Sequence, residues 1–241
     1  MKQRAVICTP VFFPQVNVES IPKVEACQAV NDCMQIWGCP QRIKIDNGLP
    51  FANAGNRDIP TLTQLWWIGL GIEVILNPPR TPQENGTVEG LQGICKRWSC
   101  SPKYGTMEEY QVRIDETNRI QREVYRIRKK GDKTRREIYP ELWTGPNKYN
   151  PRDFDIQKVF DELSNRTWVR RTTNSGSLNF WSKSVYLGKP FIYHDVTITF
   201  DPFDCLWTIR ATDGRILKEV ENSIFTEGQI LKNAGISKNS C

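Results

Sequence analysis

The chain has 241 residues, 39% of them hydrophobic and 10% aromatic, and its 33 Lys and Arg outnumber 27 Asp and Glu to give a net charge of +6. This length holds one large domain or two modest ones, and the apolar share excludes a chain that is disordered throughout. The basic excess permits an anionic partner without requiring one, because solvated basic faces are common.

Residues Ala5–Phe13 are apolar and rich in strand formers, which predicts a buried strand. Pro10 and Pro14 break the apolar run too early for a secretory leader, and no stretch approaches the length of a membrane span. Ser20 is placed to cap a helix running to about Trp37, with Val24, Cys27, Val30, Met34 and Trp37 at helical spacing and Gly38-Cys39-Pro40 as its stop. Arg42–Ile45 reads as a short strand ending at Asp46-Asn47-Gly48. A second helix is expected over Thr61–Leu70, then a strand at Ile72–Leu76, a rigid loop at Pro78–Pro82, and a third helix from near Glu84 with Val88, Leu91, Cys95 and Trp98 on one face. Strand and helix alternating in this way is an α/β pattern.

From Met107 to about Leu163 the chain turns helical and charged, with punctuation at Gly131, Pro140 and Gly145–Pro151. Between Arg119 and Arg136 stand nine basic residues (Arg119, Arg122, Arg126, Arg128, Lys129, Lys130, Lys133, Arg135, Arg136) against two acids, and a basic helix is expected there. A solvated face or phosphate contacts would both suit it. Beyond Arg166 short alternating strands are expected at Leu178–Trp181, Val185–Leu187, Val196–Phe200 and Leu206–Arg210, with turns at Asn174-Ser175-Gly176, Asp201-Pro202 and Asp213-Gly214. That texture predicts a small barrel, with a peripheral tail after Glu221. Within it Trp168, Trp181, Tyr186 and Trp207 fit a barrel core better than base-stacking platforms, and His194 reads as a loop residue. No two of the eight cysteines form a C-x-x-C pair and His194 is the sole histidine, so the usual spacing of a zinc site is missing. Free thiols in a reducing cytoplasm are the expectation.

Two carboxylates stand where chemistry would want them. Asp46 follows a strand, and the Asn-Gly after it turns the chain sharply at the edge where open α/β sheets place ligands. Glu89 falls beside the apolar stripe of the third helix. A strand-end Asp and a helical Glu can converge on a divalent cation, and an oxygen-only ligand set suits Mg²⁺ or Mn²⁺. Taken singly, each has a plainer use, Asp-Asn-Gly as a turn and Glu89 as a carboxylate favoured by the helix dipole.

The surroundings add to this. Ile43-Lys44-Ile45-Asp46-Asn47-Gly48-Leu49-Pro50-Phe51, then Trp66-Trp67-Ile68-Gly69-Leu70-Gly71-Ile72, then Pro79-Arg80-Thr81-Pro82-Gln83-Glu84-Asn85-Gly86-Thr87-Val88-Glu89 resembles the catalytic core of insertion-sequence transposases and retroviral-type integrases. The resemblance covers roughly Ala5 to Trp98. It implies a ribonuclease-H-like mixed sheet with flanking helices over 1–105, a basic helical linker over 106–165, a small SH3-like β-barrel over 166–222 and a tail over 223–241. Asp46 would match the second catalytic aspartate and Glu89 the catalytic glutamate. In that family three carboxylates hold two Mg²⁺ (or Mn²⁺) ions for in-line attack on a phosphodiester. Gln83 and Asn85 match positions that contact DNA or hold the glutamate, although capping the helix would serve them equally. Lys96, Arg97, Arg126, Lys129, Lys130 and Lys133 are the cations expected on DNA.

The family's first aspartate belongs on its first strand. Only Asp32, within the first helix, and Glu19 and Glu25 precede Asp46 as acids, so a core truncated at its first strand is expected. The implied function is DNA strand transfer, in integration or recombination of a mobile element, by two-metal chemistry impaired by the loss of that aspartate. The alternative is a catalytically dead DNA-binding remnant that occupies element ends or inhibits an intact transposase. Either implies DNA and further copies of the chain as partners, no membrane, and a cytoplasmic, nucleoid-associated location.

Overall fold

Fifteen residues from Lys23 to Trp37 form helix α1, which buries Ala26, Cys27 and Met34 on one side. It ends where Gly38 takes φ +86° and returns its N–H to the Met34 carbonyl at 2.8 Å, a left-handed stop that glycine adopts without a Cβ penalty. The computed structural model describes residues 23–45, 51–52, 58–78, 90, 93, 97–98, 105–144, 149–181 and 183–236. The expected strand at Ala5–Phe13 and the cap Ser20 lie outside these, as does most of the expected third helix, of which Gly90, Gly93, Arg97 and Trp98 are helical. Helices and antiparallel sheets are mixed in the described chain. No helix among the described residues is long and apolar enough to cross a membrane.

The chain forms two compact units, Met1–Ala52 with Ile75–Asn150, and Asn53–Val74 with Pro151–Cys241. They cut the sequence differently from the ranges 1–105, 106–165, 166–222 and 223–241, because residues 53–74 group with the C-terminal segment.

In the first unit α1 is followed by β1 (Arg42–Ile45), which pairs with β2 (Glu73–Leu76), of which Ile75 and Leu76 belong to this unit, and the Asn77 N–H bonds the Ile45 carbonyl at 2.9 Å. Helix α3 (Met107–Glu123) is capped by Thr106, whose hydroxyl accepts from the Glu109 N–H at 3.2 Å. It buries Tyr110, Ile114, Thr117 and Gln121 at helical spacing. Two one-turn helices follow, α4 (Arg135–Ile138) and α5 (Glu141–Thr144). Trp37 meets Trp143 edge-on at 5.1 Å and receives the Arg122 guanidinium over its face at 4.7 Å, so the ends of α1, α3 and α5 share one aromatic contact. Tyr149 donates to Asn31 of α1, and burial pushes its hydroxyl well above the usual phenol range.

The second unit is built on helix α2 (Leu62–Gly69), which Thr61 and Gln64 open as a reciprocal capping box. Its Leu65, Trp66 and Trp67 are all 0–1% exposed. A helix this apolar has no face fit for water, and burying a side chain of this size is worth about 1.5–3 kcal/mol. It packs against α6 (Ile156–Ser164) and α7 (Glu227–Asn233). Gly69 permits the first contact, since a Cβ there would lie 2.2 Å from Phe154 Cε2.

The strands of this unit are β3 (Trp168–Arg171), β4 (Ser177–Phe180), β5 (Lys183–Tyr186), β6 (Asp195–Asp201), β7 (Leu206–Ala211) and β8 (Ile216–Glu221). They form a four-stranded antiparallel sheet, β3-β6-β7-β8, and a separate β4-β5 hairpin. The inward residues alternate along β6 as Val196, Ile198 and Phe200, the two-residue period of a half-buried strand. They meet a cluster in which Trp207 lies 5.7 Å from Trp168, 5.0 Å from Phe180, 4.4 Å from Trp181 and 6.0 Å from Phe225. Trp168 and Trp207 are thus core, as the sequence predicts, whereas Tyr186 is 55% exposed.

The tail is not peripheral. Thr226 caps α7, and Phe225, Ile230, Leu231 and Ala234 are buried. Asn222 holds the entry, accepting from the Phe225 N–H and donating to its carbonyl, both at 3.1 Å. The apolar side of α7 covers α2, whose own surface needs that cover.

Candidate nucleic-acid interface

Of the carboxylates and polar residues expected around a metal, Asp46, Glu89, Gln83, Asn85 and Lys96 lie outside the described residues. Arg97 is helical and exposed, and its neighbour Trp98 accepts a 3.0 Å hydrogen bond from Arg113 Nε at its carbonyl. Among the described residues no three His, Cys, Asp or Glu side chains gather as metal ligands.

The basic stretch is described in full, and it is not one continuous helix: Arg119 and Arg122 lie in α3, and Arg135 and Arg136 in α4. Helix α3 stops at Glu123, and both the Val124 and Tyr125 N–H groups fold back on the Ile120 carbonyl at 3.0 and 2.8 Å. Val124 and Tyr125 are poor helix formers, and the Tyr125 ring packs edge-on against Trp98 at 5.9 Å. The chain then closes a knuckle. Ile127 bridges Lys133 with a 2.9 Å N–H···O bond, Arg128–Lys130 make one 3₁₀ turn, and Gly131 and Asp132 follow at φ +75° and +57°. Two successive left-handed residues reverse the chain, and Gly-Asp supplies types that tolerate this conformation. Thr134 and Glu137 then open α4 as a capping box.

The nine basic residues divide into two groups. Five are engaged. Arg119 pairs with Glu116 at 2.8 Å, and its hydrogen bond holds that carboxyl below the usual range. Arg122 lies on Trp37, where burial pulls its pKa down. Arg126 donates to the Asp132 carbonyl at 2.8 Å and approaches Glu137 at 3.7 Å. Arg135 donates to the Gln121 carbonyl and side-chain oxygen at 2.6 and 3.1 Å, and Arg136 approaches Glu123 at 3.7 Å. By contrast Arg128, Lys129 and Lys130 are exposed and have no side-chain partner among the described residues. Lys133 is exposed beside them and helps to hold the Glu137 carboxyl low, after the larger effect of the Thr134 backbone N–H.

The structure therefore gathers four of the expected cations, Arg126, Lys129, Lys130 and Lys133, into one loop, and assigns Arg126 to bracing it. It adds Arg128 to the exposed set. The signal for this arrangement was in the sequence, as Gly131-Asp132 followed by Thr134-x-x-Glu137 is a turn and a capping box. Chemically Arg128, Lys129, Lys130 and Lys133 form an array of exposed cations on a backbone whose closure uses none of their side chains. Such an array suits phosphate oxygens, at an affinity that falls with salt.

No protein-family model matches the chain, and no curated protein is significantly similar to it.

Proposed function

We propose that the chain acts on DNA as a transposase- or integrase-like strand-transfer protein, with Asp46 and Glu89 as two of its metal-binding carboxylates. The observation that carries this reading is the order of motifs in one stretch: strand-Asp46-Asn47-Gly48, a Gly71-Ile72 strand, then Pro82-Gln83-x-Asn85-Gly86-x-x-Glu89. Supporting it, β1 spans Arg42–Ile45, so Asp46 is the next residue after a strand in the chain. The exposed cations of the 127–133 loop also suit a polyphosphate partner. The six strands between Trp168 and Glu221, with one aromatic core, are compatible with an SH3-like barrel.

Asp46 and Glu89 are an oxygen-only pair, which fits Mg²⁺ or Mn²⁺. Asp46 and Glu89 would hold divalent ions there, and such ions would supply activation of a water or 3′-hydroxyl and stabilisation of charge on the phosphate. The chain's own task is to hold the carboxylates, to bind the phosphodiester backbone through Arg128, Lys129, Lys130 and Lys133, and to assemble with further copies on element ends. Electron paramagnetic resonance titration with Mn²⁺ tests the carboxylates: Asp46→Asn and Glu89→Gln should each weaken binding, and unchanged binding in both overturns the assignment.

A second reading, DNA binding without catalysis, is favoured by one feature. The cationic loop is braced by the Ile127–Lys133 bridge, the Arg126 bond to the Asp132 carbonyl and the Thr134–Glu137 box, and needs no metal site to form. In this reading the protein occupies element ends or inhibits an active transposase, and DNA retention with no Mn²⁺ binding would select it.

A further inference from the structure

Two tyrosines of the second unit stay on the surface although the same unit buries Trp168, Phe180, Phe200, Trp207 and Phe225; Phe203, at 91%, is exposed as well. Tyr186 is 55% and Tyr193 57% exposed. Tyr193 has φ +54°, a conformation that aromatic L-residues seldom take and that persists only where the surroundings over-determine it. Here they do so through backbone groups. The Tyr193 N–H donates to the Thr173 carbonyl at 3.4 Å and the Tyr193 carbonyl accepts from Arg171 Nε at 3.1 Å. Next to it, Thr172, only 2% exposed, exchanges N–H···O bonds with His194 at 2.9 Å, its hydroxyl accepting one of them, and also donates to the Phe191 carbonyl. None of these bonds uses the phenol ring, which the segment simply displays.

Tyr186 is tied to the same place. It is paired with Ser177 in the hairpin, and the Ser177 N–H donates to the Thr173 hydroxyl at 3.2 Å. The β3–β4 turn and the entry to the 3₁₀ turn Lys189–Phe191 touch so closely that a Cβ on Gly176 would lie 2.2 Å from the Gly188 carbonyl oxygen. Around the rings, Arg171 uses only Nε, and Lys189 is exposed with no side-chain partner among the described residues. Lys218 donates to the Tyr186 carbonyl at 3.3 Å. Asp195, opposite Arg171 in the β3-β6 register, and His194, whose Nδ1 lies 2.8 Å from the Ile192 carbonyl, complete the charged and titratable set.

Exposed rings on a hydrogen-bonded backbone, beside cations with donor groups to spare, suit unpaired bases and their phosphates, since every base has a face to stack and every linkage a charge to neutralise. We propose that Tyr193 and Tyr186, with Arg171 and Lys189, form a binding surface for single-stranded DNA. The surface makes no use of Asp46, Glu89 or the 127–133 loop, so it stands or falls separately from the strand-transfer reading.

The test is fluorescence anisotropy of a labelled oligo(dT) with the full chain in EDTA, repeated on the Arg128→Gln/Lys129→Gln/Lys130→Gln protein so that binding by that loop does not enter. Tyr193→Asn is the informative variant, because asparagine accepts the left-handed backbone better than tyrosine. It should keep or raise Tm while weakening oligo(dT) binding between about 5-fold and about 150-fold, the range for one base–aromatic stack. Tyr193→Phe should bind like the parent, Tyr186→Ala should weaken binding independently of the strained position, and Lys189→Gln should lower the salt slope by about 0.7. Undiminished binding in both Tyr193→Asn and Tyr186→Ala overturns the proposal. So does failure of the parent to bind oligo(dT) at low salt, or an equal loss of duplex binding in Tyr193→Asn.

Discussion

Replacing Arg128, Lys129 and Lys130 together by glutamine removes three exposed charges while leaving the loop's closure in place. That closure consists of the Ile127–Lys133 bridge, the Arg126 bond to the Asp132 carbonyl and the Thr134–Glu137 box, and none of it uses the replaced side chains. Stability should therefore change by no more than about 0.5 kcal/mol, the range of an ordinary surface substitution. On duplex DNA each neutralised phosphate contributes about 0.9 to the slope of log K against log salt, so three lost contacts lower the slope by about 2.7. Over a roughly four-fold rise in salt, from about 50 to about 200 mM, the parent should lose about 40-fold more affinity than the variant. Filter binding or anisotropy on a duplex at four salt concentrations measures this. Arg119→Gln is the control, because Arg119 is already paired with Glu116 at 2.8 Å, and its slope should barely move. An unchanged slope in the triple variant, or an equal change in the control, would refute the division into bracing and available cations.

Thr134→Ala removes the hydroxyl that accepts from the Glu137 N–H at 3.2 Å and should cost about 1 kcal/mol, read by urea unfolding. Gly69→Ala gains about 1 kcal/mol of helix propensity, but its Cβ would sit 2.2 Å from the Phe154 ring. The overpacking penalty of about 1–3 kcal/mol should win, and a rise in Tm would contradict the close approach of α2 and Phe154. Glu137 has its carboxyl held below the ordinary value of 4.5, first by the Thr134 backbone N–H. A depressed carboxyl stabilises the fold above the ordinary value and loses that contribution as pH falls through the folded one. The Tm difference between the parent and Glu137→Gln should therefore be largest near neutral pH and vanish in acid.

The local elements were legible where their signals were local. Trp37-Gly38 ended a helix, Arg42–Ile45 formed the expected strand, and Thr61 capped the expected second helix. The alternating β6 run and its turns announced the antiparallel sheet in the same way. What escaped the sequence was decided at a distance. The covering of α2 by α6 and α7 depends on residues far apart in sequence, such as Asn233, which donates to Thr63 at 3.2 Å, and no short window shows that a tail will serve as cover. The stop of α3 at Val124-Tyr125 escaped for a different reason: the charge pattern suits a helix face, and the backbone bonds to Ile120 that end the helix leave no trace in charge periodicity, whereas the break at Gly131 was legible. Likewise the exposure of Tyr186 and Tyr193 follows from which hairpin face the aromatic core occupies, a tertiary choice.

The most direct test of the central claim is nicking and strand transfer on supercoiled plasmid DNA in Mn²⁺, comparing the parent chain with Asp46→Asn and Glu89→Gln. Weak, metal-dependent activity is expected in the parent, abolished by both substitutions while duplex binding and its salt slope stay the same. Activity that survives in both variants would contradict it.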